Sequence, residues 1–468
     1  MKNFEMIGAR PPAYRPELAI LALGDAFYDP VAPADFPQAI LRFRNDRAAA
    51  SIGLEGLSDD AWIHHFARFQ PLPDNLTTPL ALRYHGHQFR VYNPDIGDGR
   101  GFLFAQLRDW DGRLLDLGTK GSGQTPYSRF GDGRLTLKGG VREILATEML
   151  EALGVETSKT FSLIETGEAL ERNDEPSPTR AAVLVRLQHS HIRIGTFQRL
   201  ATLGEADNIR KLTFYCLRHY YGDESGDPAA LLGHVAAQTA RLAASYIAAG
   251  FVHGVLNSDN IAITAQSFDY GPWRFAPVWD GHFTAAYFDH QGLYSFGRQP
   301  EAIHWDLVQL ALSLRLIAEA DALTPKLESF PRLFQEALRD ALFTRLGLRP
   351  GDLVADMRLV VAIEEALARQ SVAIDRFFFD WRGGRRPPGY EGFEEIAAVE
   401  GYEPAPGALD HPYWSDPEPC SMHIEEVEAI WAAIDAADDW SPLEAKIAAI
   451  RRMGEAHRAG DGAASGLL

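Results

Sequence analysis

The feature that most constrains the fold is the separation of two sequence patterns along the chain. Residues 84–187 alternate glycine clusters with short β-prone runs at 102–107, 114–119, 160–166 and 181–187. One helical pattern at 141–153 interrupts these runs and stops at Gly154. From residue 197 to about 368 the apolar spacing is mostly helical. The sequence therefore predicts an α+β protein, in which a β-rich N-lobe with one key helix precedes a mainly helical C-lobe.

The segments outside these two patterns suggest extensions. Residues 1–75 are proline-rich and predict an irregular N-terminal extension, followed by an N-lobe over 76–195 and a C-lobe over 196–370. Residues 371–468 form a C-terminal extension, with a linker expected at 381–395. Two lobes of this kind enclose a cleft, and such clefts commonly bind small ligands.

Composition narrows the classes of function. The 468 residues carry a net charge of −19, which argues against a non-specific nucleic-acid-binding protein, because the surface of such a protein is broadly basic. The sequence contains no apolar run of about 20 residues, so we expect no membrane span. The first 20 residues carry charges and prolines where a secretory signal has an apolar core. Two cysteines predict reduced thiols. We expect a cytoplasmic protein, a monomer, with neither nucleic-acid nor membrane partners.

Two copies of a Gly-Asp-Gly-Arg motif occur at 97–100 and 131–134. Glycines permit close backbone approach and expose N–H groups to an anion, and the arginine adds positive charge. A single copy is more typical of a turn, but the repetition strengthens the interpretation as an anion site. The acidic chain can therefore hold a local positive pocket.

Lys120 closes the run at 114–119 and begins the glycine-rich segment KGSGQTPYSRFGDGR. A lysine that leaves a strand into a cleft can reach phosphate oxygens as a point charge; the alternative is a surface lysine beside a turn. Glu143, on the predicted helix, favours the first interpretation. Protein kinases hold their ATP-phosphate lysine with such a lysine–glutamate pair between strand and helix.

Arg186 and Arg193 lie among apolar neighbours, where an isolated charge is costly to bury. Two interpretations stay open at this point. The arginines pair with internal carboxylates, or they clamp a polyphosphate.

The most specific pattern is HGVLNSDN at 253–260, followed by Asp269-Tyr-Gly. Kinase-fold enzymes use a His-x-Asp-x-x-x-x-Asn loop and a later Asp-Phe-Gly, in which the first Asp accepts the substrate proton and Asn and the last Asp hold magnesium. Asn260 and Asp269 match the two metal ligands. Val255 stands where the proton acceptor belongs, and a valine cannot accept a proton.

Asp259 offers a carboxylate from a shifted position. If the nucleotide bound in a different orientation, Asp259 could serve a substrate hydroxyl, and in-line attack at the α-phosphorus would transfer AMP. Two alternatives remain: a true phosphotransferase of kinase-like fold, and a non-catalytic ATP-binding pseudokinase scaffold.

Together these motifs resemble the SelO (YdiU) family of pseudokinases, which are protein adenylyltransferases. The resemblance covers roughly residues 80–315 and rests on HGHQF, GDGR, KGSGQTPYSRFGDGR, VREILATE, HGVLNSDN, DYGPW and DHQGLYSFGRQP, in family order. It implies a bilobal protein-kinase-like fold that binds ATP inverted relative to kinases.

The resemblance also implies roles for residues. AMP would pass from ATP to Ser, Thr or Tyr hydroxyls of protein substrates and pyrophosphate would leave, with Asp259 as the proton acceptor. Asn260 and Asp269 would bind Mg²⁺ or Mn²⁺, and Glu143 would orient Lys120 within the nucleotide site. The residues implied to contact the nucleotide are Gly97, Gly99, Arg100, Lys120, Asp132, Gly133, Arg186, Arg193 and Asp269.

Overall fold

The computed structural model describes residues 13–173 and 175–459. Residues 1–12, which carry most of the evidence against a secretory signal, lie outside this range. The strands are β1 Pro16–Glu17, β2 Tyr28–Pro30, β3 Ile40–Arg44, β4 Leu80–Leu82, β5 Gly86–Gln88, β6 Val91–Asn93, β7 Leu103–Arg108, β8 Leu114–Lys120, β9 Leu135–Thr136, β10 Lys159–Leu170, β11 Thr179–Gln188, β12 Phe251–Val252 and β13 Arg274–Phe275.

The α-helices are α1 Asp46–Ser51, α2 Asp59–Phe66, α3 Leu137–Ala152, α4 Ile194–Thr202, α5 Ala206–Cys216, α6 Pro228–Ala249, α7 Gln299–Leu314, α8 Ala320–Glu328, α9 Phe330–Leu346, α10 Leu353–Arg369, α11 Ile374–Asp380, α12 Ile424–Ala437 and α13 Ser441–Ala459. The mixed α and β composition that the sequence predicts is confirmed.

One antiparallel sheet organises the strand-rich part, in the order β2-β4-β7-β8-β11-β10-β3. The four predicted β-prone runs are β7, β8, β10 and β11, and the last two pair as an antiparallel hairpin. In the register of β8 with β11, Lys120 lies opposite Leu184 and Gly118 opposite Arg186. The middle of the sheet therefore brings Lys120 and Arg186 onto neighbouring strands.

The predicted helix is α3, and it begins four residues earlier than its apolar spacing indicated. The Thr136 side chain accepts a hydrogen bond from the Gly139 N–H, which satisfies an otherwise unpaired donor of the first turn. Val141, Ile144 and other apolar side chains of α3 are buried in the core shared with the sheet. Gly154, at φ +79°, follows the helix as its stop.

Two expectations about the extensions were wrong. Residues 13–75 are not irregular throughout, because β3 pairs with β10 and β1 pairs with β7. The stretch at 381–395 is not an open linker, because Trp381 and Phe393 are buried in a core shared with α9 and α10. The domain boundaries themselves stay predictions. In the described part of the chain, no helix combines the length and apolarity needed to cross a membrane.

The C-terminal helices α12 and α13 pack against α3. Arg451 on α13 makes a two-pronged ion pair with Glu148 on α3, at 2.8 and 2.6 Å. A Cβ at Gly454 would lie 3.1 Å from the Ala152 Cα atom, so the glycine lets α13 approach α3 closely. This packing fixes the helix that carries Glu143.

Replacing Arg451 with Ala is expected to lower the free energy of unfolding by about 2 kcal/mol, because the buried Glu148 would keep only the half-exposed Arg47 as a partner. Urea unfolding followed by circular dichroism measures the change. Arg332→Ala is the matched control, since it breaks an exposed i,i+4 pair with Glu336 and is expected to cost about 0.5 kcal/mol or less. Equal losses of stability in the two variants would show that the Arg451–Glu148 ion pair does not stabilise the packing of α13 on α3.

Candidate active site

An ion triad joins the sheet, α3 and the loop after β12. The Lys120 ammonium at the end of β8 donates to the Glu143 carboxylate, and its Nζ atom lies 2.7 Å from Asp269 Oδ1. Lys120 and Glu143 are both buried. The lysine–glutamate pair predicted from the sequence is present, and it is linked to the Asp of the Asp-Tyr-Gly motif.

The Asp269 carboxylate is surrounded by positively charged side chains. Its backbone has φ +63°, a conformation that non-glycine residues adopt rarely and that recurs at functional sites. Burial opposes ionisation of its carboxyl, but Lys120, Arg186, Arg100 and Arg193 outweigh that effect and hold its pKa well below the usual range. Asp269 is therefore an anion throughout the neutral pH range.

The two arginines have different partners. Arg193 Nη2 donates to Asp98 Oδ1 at 3.2 Å, and its Nη1 donates to the Asp259 carbonyl at 2.9 Å. For Arg193 the pairing with an internal carboxylate is thus present. Arg186 Nη1 lies 3.7 Å from Asp269 Oδ1, and this buried atom has no hydrogen-bond partner among the described residues. Arg186 keeps a donor that an anion can use.

Asp259 lies in a short 3-10 turn, Ser258–Asn260, and is buried. Its Oδ1 atom has no hydrogen-bond partner among the described residues. Burial raises the pKa of Asp259, Arg193 opposes the rise and nearby Asp269 adds to it, and together they bring the pKa to about 6. A carboxyl with a pKa close to neutral and an unused oxygen has the properties of a general base.

Asn260 and Asp269 are suited to hold a magnesium ion. Asn260 Nδ2 donates to the Val255 carbonyl at 3.0 Å, which fixes the amide and leaves its oxygen for a ligand. Carboxylate and amide oxygens are ligands that Mg²⁺ accepts, and Mg²⁺ bound with a nucleotide takes one or two protein ligands together with phosphates and waters. Within 13–173 and 175–459, no group of three His, Cys, Asp or Glu side chains could hold a metal by itself. The two oxygen donors of Asn260 and Asp269 match the number of protein ligands that Mg²⁺ takes when phosphates and waters supply the others.

Both Gly-Asp-Gly-Arg motifs pack against the glycine-rich segment that follows Lys120. A Cβ at Gly97 would come within 2.5 Å of the Tyr127 ring, so only glycine fits there. Gly133, at φ +71°, accepts a backbone hydrogen bond from Gly123 at 3.1 Å and closes the glycine-rich segment after Lys120.

The remaining residues of these motifs lie nearer the surface. A Cβ at Gly99 would come within 2.9 Å of the Tyr127 carbonyl oxygen. Arg100 is exposed. Asp132 is also exposed and pairs with Arg172 at 2.8 Å. The structure thus joins Lys120, Glu143, Arg186, Arg193, Asp259 and Asp269 around one centre, with Asn260 next to Asp259 in the chain. Arg100 is exposed but near enough for its charge to act on Asp269, and Asp132 is exposed and paired with Arg172.

The family model of the protein adenylyltransferase SelO matches residues 13–392. The chain belongs to the SelO family. A protein nucleotidyltransferase YdiU from Synechocystis sp. is 49% identical over 71% of this chain and 70% of its own length. Proteins of the same name from Gloeobacter violaceus and Synechococcus elongatus are 44% and 41% identical; they cover 93% and 97% of this chain, and 95% and 96% of their own lengths.

Membership of the SelO family confirms the resemblance that the motifs carried. It also confirms the prediction of an enzyme of the nucleotidyltransferase class, since the relatives and the family model both bear such names. The SelO match contains all of the candidate site residues, whereas α12 and α13 lie beyond it.

Sequence reasoning missed two residues of this site. Asp98, the acidic residue of the first Gly-Asp-Gly-Arg motif, pairs with Arg193 and accepts from the Leu82 N–H at 3.0 Å. Gly86 packs directly on the Asp259 carboxyl. The signal for Gly86 was its place between two histidines in YHGHQF, because a glycine among large side chains indicates that another group packs closely on the backbone there.

Replacing Gly86 with Ala is expected to lower kcat about tenfold or more while leaving the KM for ATP nearly unchanged. The new Cβ would lie 2.7 Å from Asp259 Oδ1, so the carboxyl must move, and small displacements of reacting groups are costly. Steady-state kinetics measure both constants. Gly56→Ala, where a Cβ meets nothing within 4 Å, is the control. Equal kcat values in the two variants would show that the position of Asp259 is unimportant.

Proposed function

We propose that this protein transfers AMP from ATP to the hydroxyl of a Ser, Thr or Tyr residue in a protein substrate and releases pyrophosphate. The observation that carries the proposal is the buried Asp259 carboxyl, whose Oδ1 has no hydrogen-bond partner in the described part of the chain and whose pKa is raised to about 6. Val255 occupies the place of the kinase proton acceptor, so a carboxylate at a shifted position favours attack at a different phosphorus.

The proposed nucleotide site is the cluster around Lys120. Lys120 and Arg186 would bind phosphate oxygens, with Arg193 and the glycines at 97, 99 and 133 forming the walls of the site. Glu143 would orient Lys120, and Arg100 and Asp132 would contact the nucleotide from the edge. Asn260 and Asp269 would bind Mg²⁺ or Mn²⁺, which when bound neutralises phosphate charge.

The proposed reaction is a single displacement. The acceptor hydroxyl oxygen forms a bond to the α-phosphorus of ATP, and the bond from that phosphorus to the oxygen bridging the α and β phosphates breaks. Pyrophosphate carries away the bond electrons, and Asp259 takes the hydroxyl proton. Lys120 and Arg186 stabilise charge on the phosphates as it shifts, which is how preorganised charges accelerate such steps.

The architecture we propose for this chemistry is a bilobal protein-kinase-like fold, supported by the triad that links strand, helix and the Asp-Tyr-Gly loop. We further propose that the protein works in the cytoplasm as a monomer. Cys216 and Cys420 are both free, which suits a reducing compartment.

Incubation with ATP labelled at the α or at the γ position, in parallel, tests the proposal. Label from the α position is expected on protein, together with free pyrophosphate. Label from the γ position alone, with ADP as the by-product, would instead indicate a phosphotransferase. ATP binding without any transfer would indicate a pseudokinase scaffold.

A further inference from the structure

An exposed aromatic patch lies beside the loop that carries Asp259. It consists of three rings in contact, the half-buried Phe89 of the β5–β6 hairpin and Tyr287 and Phe288 on the loop before α7, together with the exposed Val91 two residues after Phe89. Tyr287 is 80% exposed and Val91 70% exposed, and Phe288 is also exposed. The Phe89 ring contacts the Phe288 ring at 5.8 Å between centroids, and Phe288 contacts Tyr287 at 5.1 Å. We call these four residues the aromatic patch.

Short, specific contacts tie the aromatic patch to the proposed catalytic loop. The Phe89 N–H donates to Asn257 Oδ1 at 3.0 Å, and the Tyr294 hydroxyl donates to the same oxygen at 2.7 Å. Gly86, three residues before Phe89, packs on the Asp259 carboxyl. The hairpin therefore runs from the proposed base directly to the patch.

The loop that carries Tyr287 and Phe288 is held in place from within. Buried Asp289 accepts hydrogen bonds from the N–H groups of Leu293 and Tyr294, both at 2.8 Å. The exposed rings thus stand on a fixed turn. Rigid exposed aromatic side chains are the groups that contribute most at protein-binding surfaces.

Charged side chains border the aromatic patch. Arg90, at the tip of the hairpin, pairs with Glu301 at 2.9 Å, and Arg298 pairs with the same carboxylate at 3.1 Å. An apolar centre with a polar rim is the usual arrangement of a protein-binding surface.

We propose that the aromatic patch binds the acceptor polypeptide next to its hydroxyl residue, through an aliphatic or aromatic side chain of that polypeptide. This inference rests on the proposed function. The acceptor hydroxyl must reach Asp259, and an extended chain advances only about 3.3 Å per residue, so residues near the acceptor in sequence must lie on the surface around Asp259. On the side of the β5–β6 hairpin that surface is aromatic.

The test uses the full chain and two synthetic peptides with one central serine. One peptide carries Leu and Phe near the serine, and the other carries Gly and Asn at the same positions. AMP incorporation from α-labelled ATP is measured for wild type, for the double variant Tyr287→Ser/Phe288→Ser and for Val91→Ser. Automodification of the chain is measured in the same reactions. Trp110→Ser is the matched control, because Trp110 is 53% exposed in the turn between β7 and β8, at the opposite end of β8 from Lys120.

Wild type is expected to prefer the apolar peptide, and the double variant to lose about tenfold in kcat/KM for that peptide with an unchanged KM for ATP. Val91→Ser is expected to show a smaller loss, and Trp110→Ser none. Equal kcat/KM values in wild type and double variant would overturn the proposal, as would automodification without modification of either peptide. Sedimentation velocity measures whether the patch joins two copies of the chain. A wild-type dimer that is lost in the double variant would assign the patch to a second copy and overturn the proposal. Absence of AMP transfer to any acceptor, the chain included, would instead refute the proposed function.

Discussion

Replacing Asp259 with Asn is expected to lower the rate of AMP transfer about a thousandfold, the usual contribution of a positioned general base. The amide is nearly the same size as the carboxyl but cannot take a proton. The fold is expected to persist, because Asp259 Oδ1 accepts no hydrogen bond from residues 13–173 and 175–459 that the change would break. Transfer is measured with α-labelled ATP, and ATP binding by calorimetry is expected to be retained.

The pH dependence of the rate checks the same assignment. Asp259 acts as a base only when ionised, and its pKa is raised to about 6. The wild-type rate is therefore expected to be on a plateau above that pH and to fall about tenfold per unit below it. The Asn variant is expected to lack this inflection. An Asn variant with the same inflection, or with full activity, would place the base elsewhere.

Replacing Lys120 with Met is expected to reduce transfer about a hundredfold or more, since one charge aimed at the reacting phosphates is commonly worth that much. The same change leaves the buried Glu143 without its cation, and Asp269 loses its nearest positive charge. We expect a loss of stability of about 3 kcal/mol as well. Activity and the urea midpoint are measured on the same preparation.

The double variant Lys120→Met/Glu143→Gln separates these two effects. The double variant no longer buries an uncompensated carboxylate at position 143, while Asp269 keeps the more distant Arg186 at 3.7 Å, so part of the lost stability is expected to return. Activity is expected to stay low, because nothing replaces the ammonium at the phosphates. A double variant that regained activity along with stability would show that Lys120 acts only in folding.

The part of the site that the sequence predicted correctly is the part anchored on regular elements. Lys120 ends a strand and Glu143 lies on a helix with clear apolar spacing, so their meeting followed from the order of these elements. Asn260 and Asp269 were recognisable because a loop motif fixes their spacing. The roles of these residues in catalysis remain predictions.

Other features depend on contacts that local patterns do not encode. The Gly86 approach to Asp259 joins residues far apart in sequence, as does the Lys138–Glu428 ion pair at 2.7 Å between α3 and α12. The strands at 16–44 are too short to show a two-residue period in the sequence. They form because β7, β10 and β4 have backbone groups to which these strands can hydrogen-bond. Tertiary packing decided these cases.

The most direct measurement is the mass of a protein substrate, or of the chain itself, after incubation with ATP and Mg²⁺. The account predicts a gain equal to AMP on a Ser, Thr or Tyr residue, present with wild type and absent with Asp259→Asn. A gain equal to phosphate, or the AMP gain undiminished in Asp259→Asn, would contradict it.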